Sequence, residues 1–98
     1  MIEGKYKLRL NTPMGEIKGN LELKMQNREL YGVLDVMGGK SQFKGGKVEG
    51  NKFIFKGDFN TPLGLINYSL LGIVEGDKLD IYAETNKGRF KLEGTRIK

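Results

Sequence analysis

Apolar and polar residues alternate along most of the chain with a period of two, the spacing of a strand that buries one face. Tyr6, Leu8 and Leu10 interleave with Lys5, Lys7 and Arg9. The same reading continues through Ile17, Leu21, Leu23 and Met25, then Leu30, Leu34 and Val36, then Phe53, Phe55 and Phe59, then Ile66, Tyr68, Leu70 and Val74. Leu79, Ile81 and Ala83, followed by Phe90 and Leu92, complete it. With a further strand through Phe43 and Val48, the pattern predicts eight strands and no helix. Phe43 and Val48 fall on opposite faces of a regular strand, so a bulge at Gly45-Gly46 is expected to turn both inward. Fifteen glycines fit this reading, since each costs about 1 kcal/mol in a helix interior.

The turns repeat. Asn11-Thr12-Pro13-Met14-Gly15 recurs as Asn60-Thr61-Pro62-Leu63-Gly64, each followed one residue later by an isoleucine, Ile17 and Ile66. Pro presets φ near the start of a turn and Gly accepts φ > 0 at its end, so Thr-Pro-x-Gly predicts a four-residue hairpin loop that pairs Leu10 with Ile17 and Phe59 with Ile66. A second unit, Val48-Glu49-Gly50-Asn51-Lys52-Phe53, recurs as Val74-Glu75-Gly76-Asp77-Lys78-Leu79, with Met25 to Leu30 a weaker third copy. Each reads as a two-residue hairpin. The chain is therefore read as a single domain over residues 1–98, built from an internal repeat of four strands, about 5–49 and 52–98. Eight sequential antiparallel strands with one apolar face close most economically into an up-and-down barrel, which removes exposed edges. A sandwich of two four-stranded sheets is the alternative.

The chain has no Cys and no His. Disulfides, thiol chemistry and the usual base near neutral pH are thereby excluded, along with the commonest zinc ligands. Glu75, Asp77 and Asp80 lack the spacing of calcium ligands. Gly38-Gly39-Lys40-Ser41 lacks the leading half of a phosphate loop. Ser41 and Ser69 have no basic partner, so the chain is read as non-catalytic, with no cofactor and no metal. No apolar run has the length of a signal peptide or a membrane span, so cytoplasmic location without membrane insertion is the expectation.

Gly19, Gly32, Gly57, Gly72 and Gly94 all face inward by the alternation. They either leave room for a guest or let neighbouring rings lie over them, Tyr68 over Gly57, Phe53 over Gly72 and Phe55 over Gly46. Beyond the hydroxyls of Tyr6, Tyr68 and Thr85 the interior is apolar, so any guest would be an acyl chain or flat ring rather than a sugar or nucleotide.

Gly4-Lys5-Tyr6 at the start of the first strand, with Arg96 near the end of the last, resembles the calycin arrangement, in which a Gly-x-Trp aromatic packs under a final-strand Arg; here Tyr6 stands for the Trp. The Thr-Pro-Met-Gly hairpin is also similar to a group of small, largely uncharacterised barrel modules. Calycin likeness implies binding of a small hydrophobic molecule inside the barrel without catalysis. The candidate lining is Tyr6, Leu23, Leu34, Phe43, Phe55, Tyr68, Ile81 and Phe90, with Arg96 closing one end as a cation over a ring.

The outer face supplies two competing readings. Hairpin register places Ile54, Leu71 and Tyr82 side by side on three neighbouring strands, with Ile73 close by, a contiguous apolar row that suits a homodimer or a partner protein. The net charge of +5 is shared between the two halves, but Lys40, Lys44, Lys47, Lys52 and Lys56 cluster on the fourth and fifth strands, and closure is expected to set Lys5, Lys7 and Arg9 beside Arg89 and Lys91. Nucleic acid is disfavoured, because single strands need exposed aromatic rings to stack on and the Phe residues point inward.

Overall fold

The computed structural model describes residues 2–36, 38–62 and 64–97, with Phe59 and Thr61 by their backbone alone. The predicted inward side chain of Phe59 and the turn residue Leu63 therefore lie outside the described residues. The strands among them are β1 (Gly4–Thr12), β2 (Gly15–Gln26), β3 (Glu29–Val36), β4 (Gly39–Glu49), β5 (Lys52–Thr61), β6 (Gly64–Glu75), β7 (Lys78–Thr85) and β8 (Gly88–Arg96). They close in sequence order into one antiparallel barrel.

The turns set the register. Leu10 pairs with Ile17 and Phe59 with Ile66, while Val48 meets Phe53 and Val74 meets Leu79. In the first loop the Thr12 hydroxyl donates to the Gly15 carbonyl at 2.7 Å and accepts the Met14 N–H at 3.2 Å. Thr85-Asn86-Lys87-Gly88 repeats this device without the proline, its hydroxyl bonding the Gly88 carbonyl at 2.8 Å and the Lys87 N–H at 2.9 Å. Gly15 and Gly88 take φ of 116° and 125°, where a side chain would be strained. Thr12 pairs with Gly15, so the first Thr-Pro loop spans two residues rather than four; Thr85 pairs with Gly88 likewise, and the opposite end also uses two-residue turns. There Gly50 and Gly76 begin their turns at φ 61° and 62°, and Asn27-Arg28 takes positive φ at both positions.

The expected bulge is present. Leu30 pairs with Gly46 but Gly32 pairs with Phe43, so β4 carries one extra residue between them, and Gly45 absorbs it at φ 74°. Phe43 is buried and Val48 partly so, both against the same core.

The eight ladders are unequal in a way that divides the barrel. Within β1–β4 and within β5–β8 the pairing runs most of each strand, as in β5–β6 from Lys52↔Ile73 to Thr61↔Gly64. The two seams between these halves are short. β4 pairs with β5 through Lys47–Glu49 against Lys52–Ile54, and β1 pairs with β8 through Tyr6–Arg9 against Glu93–Arg96. Both seams lie at the end closed by Arg96. The barrel is thus stitched there, and its ladders lapse towards the end that carries the Thr-Pro turns. The β4–β5 ladder stops one pair short of the expected Gly46–Phe55 pair.

Closure also corrects the charge map read from the sequence. Lys7 faces Thr95 and Arg9 faces Glu93, with which it forms an ion pair at 3.4 Å. Arg89 and Lys91 lie beyond the ladder, so the expected continuous basic stripe is broken by an acid. The pairing of Tyr6 with Arg96 decides this shift, because each step along an antiparallel ladder moves the two strands in opposite directions.

The core fills the Arg96 end and the middle. Tyr6, Leu23, Leu30, Phe53, Phe55, Leu79 and Ile81 are all buried. Phe43 stacks on Phe55 with ring centroids 3.6 Å apart, Phe53 lies parallel at 5.9 Å from Phe55, and Tyr68 meets Phe55 edge-on at 6.0 Å. These rings occupy the space left by glycines. A Cβ on Gly72 would fall inside the Phe53 ring, and one on Gly57 would meet the Tyr68 hydroxyl.

Candidate functional site

The sequence-derived lining separates into three groups by position. Tyr6, Leu23, Leu34, Phe43, Phe55 and Ile81 face inward and pack on one another, all buried. Phe90 also lies on an inward position, opposite Ala83, yet it is 38% exposed because it sits at the rim of the Thr-Pro end. Tyr68 belongs one layer below that rim.

Arg96 forms the closure that the resemblance implied. Its guanidinium carbon lies 4.9 Å from the centre of the Tyr6 ring, Nη1 donates to the Glu3 carbonyl at 2.6 Å, and Nε is 3.7 Å from Asp77 Oδ1. Gly4 leaves room for it, since a Cβ there would stand 2.6 Å from Nη1. Beneath, the Tyr6 hydroxyl donates to the Ile2 carbonyl at 2.6 Å, and Ile2 is itself buried. This end is sealed by a cation, a ring and a folded-back N-terminal residue. Burial raises the Tyr6 pKa above its ordinary value of 10.0; Arg96 opposes the rise and Asp77 adds to it.

The opposite end is built differently. Leu10, Ile17, Val36 and Leu92 face inward but are only partly buried, and Phe90 stands among them on the rim. Leu10 and Leu92 flank the point where the β1–β8 ladder ends at Arg9↔Glu93. These half-covered aliphatic side chains and one ring make up the apolar rim of the Thr-Pro end, its cup.

Below the cup lies a polar feature that the alternation pattern does not single out. Ser41 is 3% exposed and faces inward. Its hydroxyl donates to the Asp58 carbonyl at 2.8 Å, bridging β4 and β5 where their ladder has lapsed, and lies 2.7 Å from the Tyr68 hydroxyl. Either hydroxyl can supply the proton between Ser41 and Tyr68. The available signal is its spacing, two residues before Phe43 on the same face of the strand.

Burial raises the Tyr68 pKa above 10.0, the Ser41 hydrogen bond partly offsets the rise, and the Asp58 charge adds to it. The folded barrel therefore holds this proton more tightly than the unfolded chain does. Its contribution to stability is complete below pH 10 and is lost as pH rises through the folded value. In alkaline urea titrations followed by circular dichroism, Tyr68→Phe is expected to flatten the loss of stability above pH 10, and an unchanged slope would refute this. Ser41→Ala, which removes a buried donor, is expected to cost about 1–3 kcal/mol at neutral pH.

Outside the barrel, the row expected from register is present. Ile54 pairs with Leu71 and Leu71 with Tyr82, and these side chains are 42%, 39% and 45% exposed, with Ile73 partly buried beside them. Two half-open depressions of about 540 and 820 Å³ lie on the other half of the outer surface. Polar and charged side chains, among them Lys7, Arg9 and Lys18 in the first and Glu22, Lys24 and Tyr31 in the second, line much of them.

No protein-family model matches the chain, and no curated protein does. Among solved structures it is similar to a de novo designed fluorescence-activating β-barrel, with a TM-score of 0.66 at 15% identity over 97% of this chain and 93% of that one. A redesigned β-barrel, mFAP1, bound to DFHBI, gives 0.66 at 10% identity over 98% and 94%, and the redesigned barrel b11L5F_LGL gives 0.64 at 12% over 99% and 92%. At these identities the likeness is one of fold: this chain is a closed, eight-stranded antiparallel meander barrel of the same kind.

Proposed function

We propose that the chain is a non-catalytic binding module that takes a small apolar molecule into the cup at its Thr-Pro end. The observation that carries this reading is the difference between the two ends of one barrel. At the Arg96 end Tyr6, Leu23, Leu30, Phe53 and Leu79 are buried, with Met25 and Val48 partly so, whereas at the Thr-Pro end Ile66 is covered but Leu10, Ile17, Val36, Phe90 and Leu92 all stay partly open to solvent beside a seam whose ladder has lapsed. Apolar side chains held half-exposed at a barrel end gain free energy when a guest covers them, at roughly 25 cal/mol per Å². The Ser41–Tyr68 pair sets the depth and suits a guest with one polar atom at its buried tip. The rings of Phe43, Phe53 and Phe55 occupy the space beneath, so a flat ring or short chain fits better than a long one. The redesigned barrel bound to DFHBI offers a parallel for a small-molecule role in this architecture.

The test is a titration of the native chain with 1-anilinonaphthalene-8-sulfonate, read by fluorescence and by amide chemical shifts. Shifts are expected to concentrate at Leu10, Ile17, Val36, Phe90 and Leu92. Phe90→Glu is expected to weaken binding about tenfold, the equivalent of 1.4 kcal/mol, while Leu71→Lys on the outer row leaves it unchanged. Shifts confined to Ile54, Leu71 and Tyr82, or no binding at all, would overturn the reading.

A further inference from the structure

The outer face of β5–β7 has a charge arrangement that complements itself. Three parallel cross-strand rows run across it. The central row is Ile54–Leu71–Tyr82, continued on β8 by Lys91, whose ammonium lies 5.7 Å from the centre of the Tyr82 ring. On one side runs Lys52–Ile73–Asp80, and on the other Lys56–Ser69–Glu84. Each flanking row is basic on β5 and acidic on β7. Glu84 also lies 3.7 Å from Arg89, an exposed pair of little energetic weight.

We propose that this face is the interface of a homodimer, packing against the same face of a second copy. A two-fold axis parallel to the strands and passing by Leu71 reverses each row from end to end while keeping its height along the strand. It sets Lys52 against the partner's Asp80, Lys56 against the partner's Glu84, Ile54 against the partner's Tyr82, and Leu71 against itself. The contact is isologous, so every one of these pairs other than Leu71 occurs twice. A uniformly basic or acidic face would call for a partner of opposite sign. An apolar centre flanked by rows that change sign along their length is matched by its own reversed copy. The same reversal would bring Lys47 towards the partner's Lys91 and Glu49 towards the partner's Glu93, but these belong to β4 and β8, which curve away around a barrel only 20–23 Å across. Curvature confines the contact to three strands and keeps the like charges apart.

This assignment is independent of the cup at the Thr-Pro end. Sedimentation velocity on the full chain, from micromolar concentration to about 1 mM, is expected to show a reversible monomer–dimer equilibrium. Leu71→Lys is expected to leave a monomer with unchanged circular dichroism and melting temperature, because Leu71 is 39% exposed and faces away from the core. Lys56→Glu and Glu84→Lys are each expected to raise the dimer Kd about tenfold, since symmetry makes each substitution disturb two contacts. Combined in one chain, they are expected to restore the Kd to within about threefold of the starting value. A wild-type chain that stays monomeric throughout would overturn the assignment. So would a dimer indifferent to Leu71→Lys, or reversals that fail to compensate.

Discussion

Phe55→Ala is expected to lower the unfolding free energy by about 4 kcal/mol, the largest loss at any single side chain in this barrel. Phe55 stands at the centre of the interior stack, facing Phe43 at 3.6 Å, with Phe53 and Tyr68 at 5.9 and 6.0 Å. Truncation removes apolar area from the core and leaves a hole that strands held in a closed ladder cannot collapse into. For a domain of this size the loss corresponds to a fall in melting temperature of roughly 15 to 30 °C. Phe90→Ala is the control: its ring is already 38% exposed at the rim, so its removal is expected to cost about 1–2 kcal/mol. Urea denaturation of both variants checks the pair. Equal losses would mean that the ring stack is not the element that holds the barrel. The vacated space is apolar and enclosed, so Phe55→Ala is also expected to acquire affinity for benzene, as dry engineered cavities do.

Gly32→Ala is the second large effect, with a loss of about 3 kcal/mol. A Cβ at this position collides with the backbone carbonyl of Glu22 on the neighbouring strand, with the Phe43 ring 3.0 Å away on the other side. A clash with backbone can be relieved only by moving β2 off β3, which breaks the ladder on both flanks. Gly57→Ala meets the Tyr68 ring end instead, where a side chain can shift, so a smaller loss is expected there. Gly50→Ala marks the lower bound. Nothing lies within 4 Å of a Cβ at Gly50, and its φ of 61° leaves only a conformational penalty of about 1–2 kcal/mol. Equilibrium unfolding is expected to rank the three as Gly32 above Gly57 and above Gly50 or equal to it. A tolerated Gly32→Ala would contradict the close approach of β2 and β3.

Most of the architecture is legible in the chain because a strand's period is two and a hairpin's register follows from its turn. Tyr6, Leu8 and Leu10 can only face one way, and the turns Thr12–Gly15 and Gly50–Asn51 then settle which residues face which across the barrel. The bulge is legible for the same reason, since Phe43 and Val48 cannot share a face without an extra residue between them. Thr85-Asn86-Lys87-Gly88 reads only as a turn, because without the proline its kinship with Thr12-Pro13-Met14-Gly15 rests on a hydroxyl whose hydrogen bonds show only in three dimensions. Ser41 escapes notice as an interior group because its partner Tyr68 lies on a different strand and Asp58 contributes only a carbonyl. Arg9 is expected beside the wrong neighbours, since the register between β1 and β8 depends on how the whole sheet closes rather than on any turn.

Spacing along a few neighbouring residues was thus enough to specify the number of strands, the side most residues face and the pairing across the Thr-Pro, Gly50 and Gly76 turns. What remained was decided in three dimensions. Closure chose the seams, stitched them at the Arg96 end and left the Thr-Pro end with half-covered apolar side chains. Those outcomes depend on how twist accumulates across eight strands and on which rings fit over which glycines, quantities that no local pattern contains.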